Sequence, residues 1–216
     1  MRKRFDEQLA LLNKELTSMG AFCEESIASA AKALSTGDKA LIQKTAVLNQ
    51  EVRQQERDVE ALCLKLLLQQ QPVAKDLRQV SAALKMITDL ERISEQASDI
   101  GEIVNFMNDS ALPRHERINE MAKATIKMVT ESVDAYVKRS VSLAEAVIEY
   151  DDVVDQAFND VKKDLIHQIA ENPDSGEYAL DLLMIAKYLE GIGDHAVNVA
   201  GWVKFSILGH TAEEEQ

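Results

Sequence analysis

Carboxylates placed to act together are the chemically telling residues of this chain. Leu90-Glu91-Arg92-Ile93-Ser94-Glu95-Gln96-Ala97-Ser98-Asp99-Ile100 returns 99 residues later as Leu189-Glu190-Gly191-Ile192-Gly193-Asp194-His195-Ala196-Val197-Asn198-Val199. In both copies a second acid follows the first by four residues, which puts the pair one turn apart on one helix face. Asp151 and Asp155 form a further pair of the same spacing. If their helix neighbours the second copy, Asp151, Asp155, Glu190 and Asp194 can converge. Two carboxylates about 6 Å apart repel by roughly 3 kcal/mol at an effective dielectric of about 20. Several together force proton uptake or separation unless a cation compensates them. All-oxygen ligation suits hard metals such as iron, manganese or magnesium, with zinc or nickel able to substitute. The first copy offers Glu91, Glu95 and Asp99 for the same purpose.

The plainer alternative is that these acids line a solvated groove, since acid pairs at this spacing are common on helix surfaces. Their position weighs against dismissing them. At about 100° per residue, Val80, Leu84 and Ile87 fall within about 40° of Glu91, so the acids continue a stripe that is apolar in the preceding turns. Ala179, Leu183 and Ala186 stand in the same relation to Glu190, Asp194 and Asn198. Counting back from Pro72 and Pro173, with one residue of slippage, sets Asn49 and Arg53 near where the second half has Asp151 and Asp155. Arg53 is placed to reach Glu91 or Glu95 as a built-in cation, leaving the first site poor in metal.

Catalytic constellations are absent from the sequence. There is no Glu-x-x-His repeat of the di-iron bundles, no Gly-x-x-x-x-Gly-Lys loop and no serine or cysteine nucleophile pattern. His195 lies about 140° around its helix from Glu190, which fits a structural or outer-shell role. His115, His167 and His210 have no matching partner. A non-enzyme is expected, with a carboxylate-bridged metalloenzyme and a purely structural scaffold as the alternatives.

The elements that must position these acids are helices. The first helix is read from Phe5, Leu9, Leu12, Leu16, Met19, Cys23, Ile27, Ala30 and Leu34, an alternation of fours and threes that predicts long helices at shallow angles. Gly37 ends it and Asp38 caps the second, which carries Leu41, Leu48, Val52, Val59, Leu62 and Leu66. A third runs from near Ala74 to about Met107, and Asn108 to Pro113 marks a turn at mid-chain. The fourth covers roughly Glu116 to Ser140, with a shallow break between Ser140 and Ala144. The fifth follows Val147, Val154, Phe158, Val161, Leu165 and Ile169. The sixth opens with a capping box of Asp174 and Glu177 and carries Leu180, Leu183, Ile185, Leu189, Ile192, Val199 and Val203. Gly191 and Gly193, bracketing Ile192, cost helix stability and let another element approach closely. The expected fold is all-α: six long helices in two tandem antiparallel three-helix bundles from an internal duplication, residues 1–110 and 111–210, with an acidic tail over 211–216.

Composition agrees. Hydrophobic residues make up 46% of the 216 and aromatics only 5%, with three prolines and eight glycines, which favours helix. The net charge of -13 argues against nucleic acid or an anionic membrane as partner. No apolar run approaches a membrane span and the N-terminus lacks a signal-peptide core, so a cytoplasmic protein is expected. Cys23 and Cys63 read as buried free thiols.

The two repeated segments resemble the signature segments of the PhoU family, bacterial phosphate-uptake regulators. Tyr188-Leu189-Glu190 through Gly193-Asp194-His195-Ala196 carries the resemblance most strongly. It extends to Gln71-Pro72, Asp76-Leu77-Arg78, Asp151 with Val154-Asp155, and Glu171-Asn172-Pro173. It implies paired three-helix bundles with metal held at the acid motifs, by Glu91 and Glu95 in one half and by Asp151, Asp155, Glu190 and Asp194 in the other. It further implies a negative regulator of phosphate uptake and of phosphate-starvation transcription, acting between the phosphate ABC transporter's ATPase subunit and a sensor histidine kinase. Ser94 and Glu95 depart from the family's usual glycine and aspartate, and Gly191 from its usual arginine. A homodimer is plausible for bundles with such seams.

Overall fold

The heptad seams fold as six long helices in a computed structural model, which describes residues 2–70, 73–107 and 116–209. They are α1 (Arg2–Thr36), α2 (Lys39–Gln70), α3 (Ala74–Phe106), α4 (Glu116–Lys138), α5 (Val141–Glu171) and α6 (Gly176–Leu208). Pro72, the turn from Asn108 to Pro113, His115, the expected 110/111 junction, His210 and the tail over 211–216 lie outside the described residues.

Local chemistry explains where the helices stop. Gly37 takes a left-handed φ of 66°, and its N–H donates to the Ala33 carbonyl at 2.7 Å, closing α1. Asp38 then caps α2, its Oδ1 accepting from the Ala40 N–H at 2.9 Å. The break expected between Ser140 and Ala144 comes earlier, at Arg139 and Ser140, where Arg139 is a non-glycine residue with a φ of 52°. Its guanidinium Nη1 donates to Gln79 Oε1 at 2.8 Å, while the buried Tyr136 hydroxyl donates to the Gln79 carbonyl at 3.1 Å. Those bonds to α3 hold the chain in a conformation that costs of order 1 kcal/mol or more. Ser140 restarts the helix, its Oγ accepting from the Leu143 N–H at 3.2 Å. Ser140→Ala is therefore expected to lower stability by about 1 kcal/mol, read by thermal unfolding.

The anticipated capping box of Asp174 and Glu177 does not form. Pro173 fixes its φ and starts a 3₁₀ turn, Pro173–Ser175, so α6 begins only at Gly176. Ser175 takes the cap position without capping, its hydroxyl donating instead to the Asn172 carbonyl at 2.7 Å.

The helices α1, α2 and α3 pack on one another as one bundle, and α4, α5 and α6 as a second. The halves meet where α3 lies on α6 and α1 on α4, so α2 and α5 are the outer rods. Gly20 lets α1 approach α4, since a Cβ there would stand 3.1 Å from Val133 Cγ2. Every residue of the first seam is buried except the half-buried Leu9. Cys23 and Cys63 are buried free thiols, and Cys23 Sγ donates to the Leu90 carbonyl. Leu180, expected to point inward, is 58% exposed. Among the described residues no helix is long and apolar enough to cross a membrane.

Candidate functional site

In the second bundle, α5 supplies Asp151 and Asp155, and the neighbouring α6 supplies Glu190 and Asp194. Gly193 brings them together. A Cβ on Gly193 would stand 3.2 Å from Asp151 Oδ1 and 3.5 Å from Val154 Cγ1, so only a glycine leaves Asp151 undisturbed against the α6 backbone. Asp151 and Glu190 are half-buried, whereas Asp155 and Asp194 are exposed. Burial, followed by the charges of Asp155, Asp194 and Glu190, pushes the Asp151 carboxyl up to about 6. Burial and Glu190 also raise Asp194, against the lowering effect of Lys187. Lys187 pairs with Glu190 and lies over the Phe158 ring of α5, 5.6 Å from its centroid, but it pairs with no acid of α5. Among the described residues no ion pair reaches Asp151, Asp155 or Asp194.

The four acids thus share one patch whose negative charge is only partly compensated. The all-oxygen donor set suits a hard cation. Its members do not close on one point: among the described residues no three His, Cys, Asp or Glu side chains gather as a ready metal cage.

The first bundle is built differently. Arg53 projects from α2 onto α3 and forks between the two acids, its Nε donating to Glu91 Oε1 at 2.9 Å and its Nη2 to Glu95 Oε1 at 2.8 Å. Arg92 bonds the other oxygen of Glu95. Glu91 is well covered, its side chain 13% exposed. With the guanidinium seated there, these residues do not fit a metal. Asp99 leaves the group and accepts from the Tyr188 hydroxyl of α6, while burial and the charges of Glu95 and Glu102 raise its carboxyl.

The PhoU domain family model matches residues 16–104 and again 118–203, one match to each bundle. The chain belongs to the PhoU family. Phosphate-specific transport system accessory protein PhoU homologs are its relatives. That of Caulobacter vibrioides is 32% identical over 212 residues, covering 96% of this chain and 91% of the relative. That of Clostridium acetobutylicum is 30% identical, covering 96% of each. The crystal structure of PhoU from Pseudomonas aeruginosa superposes with a TM-score of 0.89 at 29% identity, over 95% of this chain and all of that one. The phosphate transport system regulatory protein PhoU from Streptococcus pneumoniae shares the fold at a TM-score of 0.89 and 23% identity, over 96% of this chain and 99% of that one. These relatives are named as accessory or regulatory proteins, not as enzymes.

The two PhoU domains are clasped along α3 and α6 by polar side chains, of which Asp89 was not marked by the sequence. His195 Nδ1–H donates to Asp89 Oδ1 at 2.9 Å, and Asn198 Nδ2 donates to the same oxygen at 3.2 Å. Tyr188 and Asp99 pair at the other end. Asp89 and Tyr188 are repeat counterparts, as are Asp99 and Asn198, so the helices cross antiparallel about a pseudo-twofold axis. Gly191 sits between these contacts, where a Cβ would stand 2.8 Å from Gln96 Oε1. His195 turns to α3. The available signal for Asp89 was its distance from Tyr188, which equals the repeat.

Proposed function

We propose that this chain is a cytoplasmic, non-catalytic regulator that restrains phosphate uptake and phosphate-starvation signalling. It acts as an adaptor between the phosphate transporter's ATPase subunit and a sensor histidine kinase, and reaches transcription only through that kinase. Membership of the PhoU family and relatives named as accessory proteins of the phosphate-specific transport system support the regulatory part. The observation that carries the metal part is the under-compensated patch of Asp151, Asp155, Glu190 and Asp194. These residues would hold the ion, with exposed Asp155 and Asp194 free to turn inward onto half-buried Asp151 and Glu190. An ion there supplies positive charge that holds α5 and α6 together. Iron, zinc, manganese, nickel and magnesium all match the donor chemistry. Long helix faces give room for the two partners and for a second copy of the chain as a homodimer.

Deleting the gene in its host is expected to raise transcription of phosphate-starvation genes several-fold in phosphate-replete medium, with uptake left unrestrained. Expression and uptake equal to the parent's would sink the assignment. Stripping metal with a chelator is expected to lower the thermal midpoint, because a ligand at 100 times its Kd contributes about 2.7 kcal/mol. A midpoint indifferent to chelator and to added metal would remove the metal from the mechanism.

A further inference from the structure

We propose that Arg53 is a built-in cation occupying the metal's place in the first PhoU domain, so that only the acid patch between α5 and α6 takes up metal. This rests on the metal reading above for the second domain and adds an asymmetry between the two halves. The repeat sets Asn49 and Arg53 of α2 against Glu91 and Glu95 of α3 as it sets Asp151 and Asp155 of α5 against Glu190 and Asp194 of α6. In the first domain the positive charge comes from the neighbouring helix and contacts both acids at once, at 2.9 and 2.8 Å. That is the bridging an ion would perform between outer and inner helix, done by a planar cationic fork. The second domain has no such bridge between acids, since Lys187 comes from α6, pairs with Glu190 and lies over the Phe158 ring of α5 without pairing with an acid of α5.

A second observation separates the halves. Asn49 Oδ1 and the hydroxyl of Ser94, the repeat counterpart of Gly193, are both buried without a hydrogen-bond partner. The positions that hold a charged Asp151 against an open backbone in one half hold neutral groups in the other. Exchange of four acids for two acids, an amide and a guanidinium changes the local charge from -4 to -1. The first domain is thereby held in a compensated arrangement whatever the supply of metal, and metal acts on the second domain alone.

The test uses the full chain, chelator-treated, titrated with manganese by calorimetry and followed by thermal unfolding. Glu190→Gln with Asp194→Asn is expected to weaken manganese binding at least tenfold and to abolish its effect on the midpoint. Adding Asn49→Asp and Arg53→Asp to that chain is expected to restore binding at least tenfold, now dependent on Glu91. Arg53→Ala, which changes the fold least, is expected to lower the metal-free midpoint and to regain several degrees with manganese. Metal retained by the Glu190→Gln, Asp194→Asn chain and lost on Glu91→Gln would overturn the proposal, as would an Arg53→Ala chain indifferent to manganese. If the parent binds no metal, the metal reading of the second domain fails alone, because gain of binding at position 53 still decides the role of Arg53.

Discussion

Gly193→Leu is expected to destabilise the chain by about 3 kcal/mol, lowering the thermal midpoint by roughly 6–12 °C. The β-carbon alone would press on Asp151 Oδ1 at 3.2 Å and touch Val154 Cγ1 at 3.5 Å and Met128 Sδ at 3.7 Å. Leucine adds three further carbons in a gap already bounded by α4 and α5, and both Gly193 and Val154 are buried. Its better helix propensity returns only about 1 kcal/mol. Gly201 provides the control. It is exposed on the same helix, and a Cβ added there would meet no atom within 4 Å, so Gly201→Ala is expected to stabilise by about 1 kcal/mol. Differential scanning calorimetry of the two variants beside the parent reads both effects. Equal midpoints would mean that α5 does not lie as close to α6 as the glycine contacts require.

The heptad spacing of α1 carried most of its buried face, because a seam read every three and four residues reports one contact line. It left out buried Gly20, Ser26, Ser29 and Ala33, on a helix that meets α2, α3 and α4. It reported less for α6, which is covered on two sides by α5 and α4 and again by α3. There the apolar residues do not form a single stripe, and Leu180 falls on the outward face with Met184 one turn later. Helix ends were misplaced before α5, where Arg139 takes the left-handed φ, and legible where a glycine dictates the backbone, as at Gly37. They were less so at Pro173, where a 3₁₀ turn displaces the cap by a residue that propensity cannot resolve.

Of the site, spacing revealed which acids share a helix face, and the repeat count placed Arg53 opposite Glu91 and Glu95. Spacing within one helix could not say what stands across from it. Asp99 follows Glu95 by one turn, yet it pairs with Tyr188, because α3 rotates it toward the second domain. Asp89 and His195 are 106 residues apart, and only the packing of α3 on α6 makes them neighbours. Lys187 is a further case. Its pairing with Glu190 is an ordinary helix neighbour contact, and only the assembled helices show that it meets α5 at the Phe158 ring and not at Asp151 or Asp155.

The patch between α5 and α6 should make the metal-free chain less stable as pH rises from about 4 to about 6. The Asp151 carboxyl is raised from 3.8 to about 6 on folding, so over that interval the folded chain binds more protons than the unfolded one. Stability then falls with rising pH, being fully retained below the unfolded value and lost as pH climbs through the folded one. Asp194 and Asp99 are raised as well and act in the same direction. Taken at face value the Asp151 change is worth about 3 kcal/mol; partial exposure and screening by solvent cut it to roughly 1–2 kcal/mol. Asp151→Asn should flatten much of this dependence and unfold at a higher temperature than the parent at pH 7.5 in chelator. Adding manganese at that pH should reverse the order, stabilising the parent and leaving Asp151→Asn behind. The sign of that crossover separates a carboxylate that burdens the empty patch from one that merely fills space, since a space-filling Asp151 would give the same ranking with and without the ion.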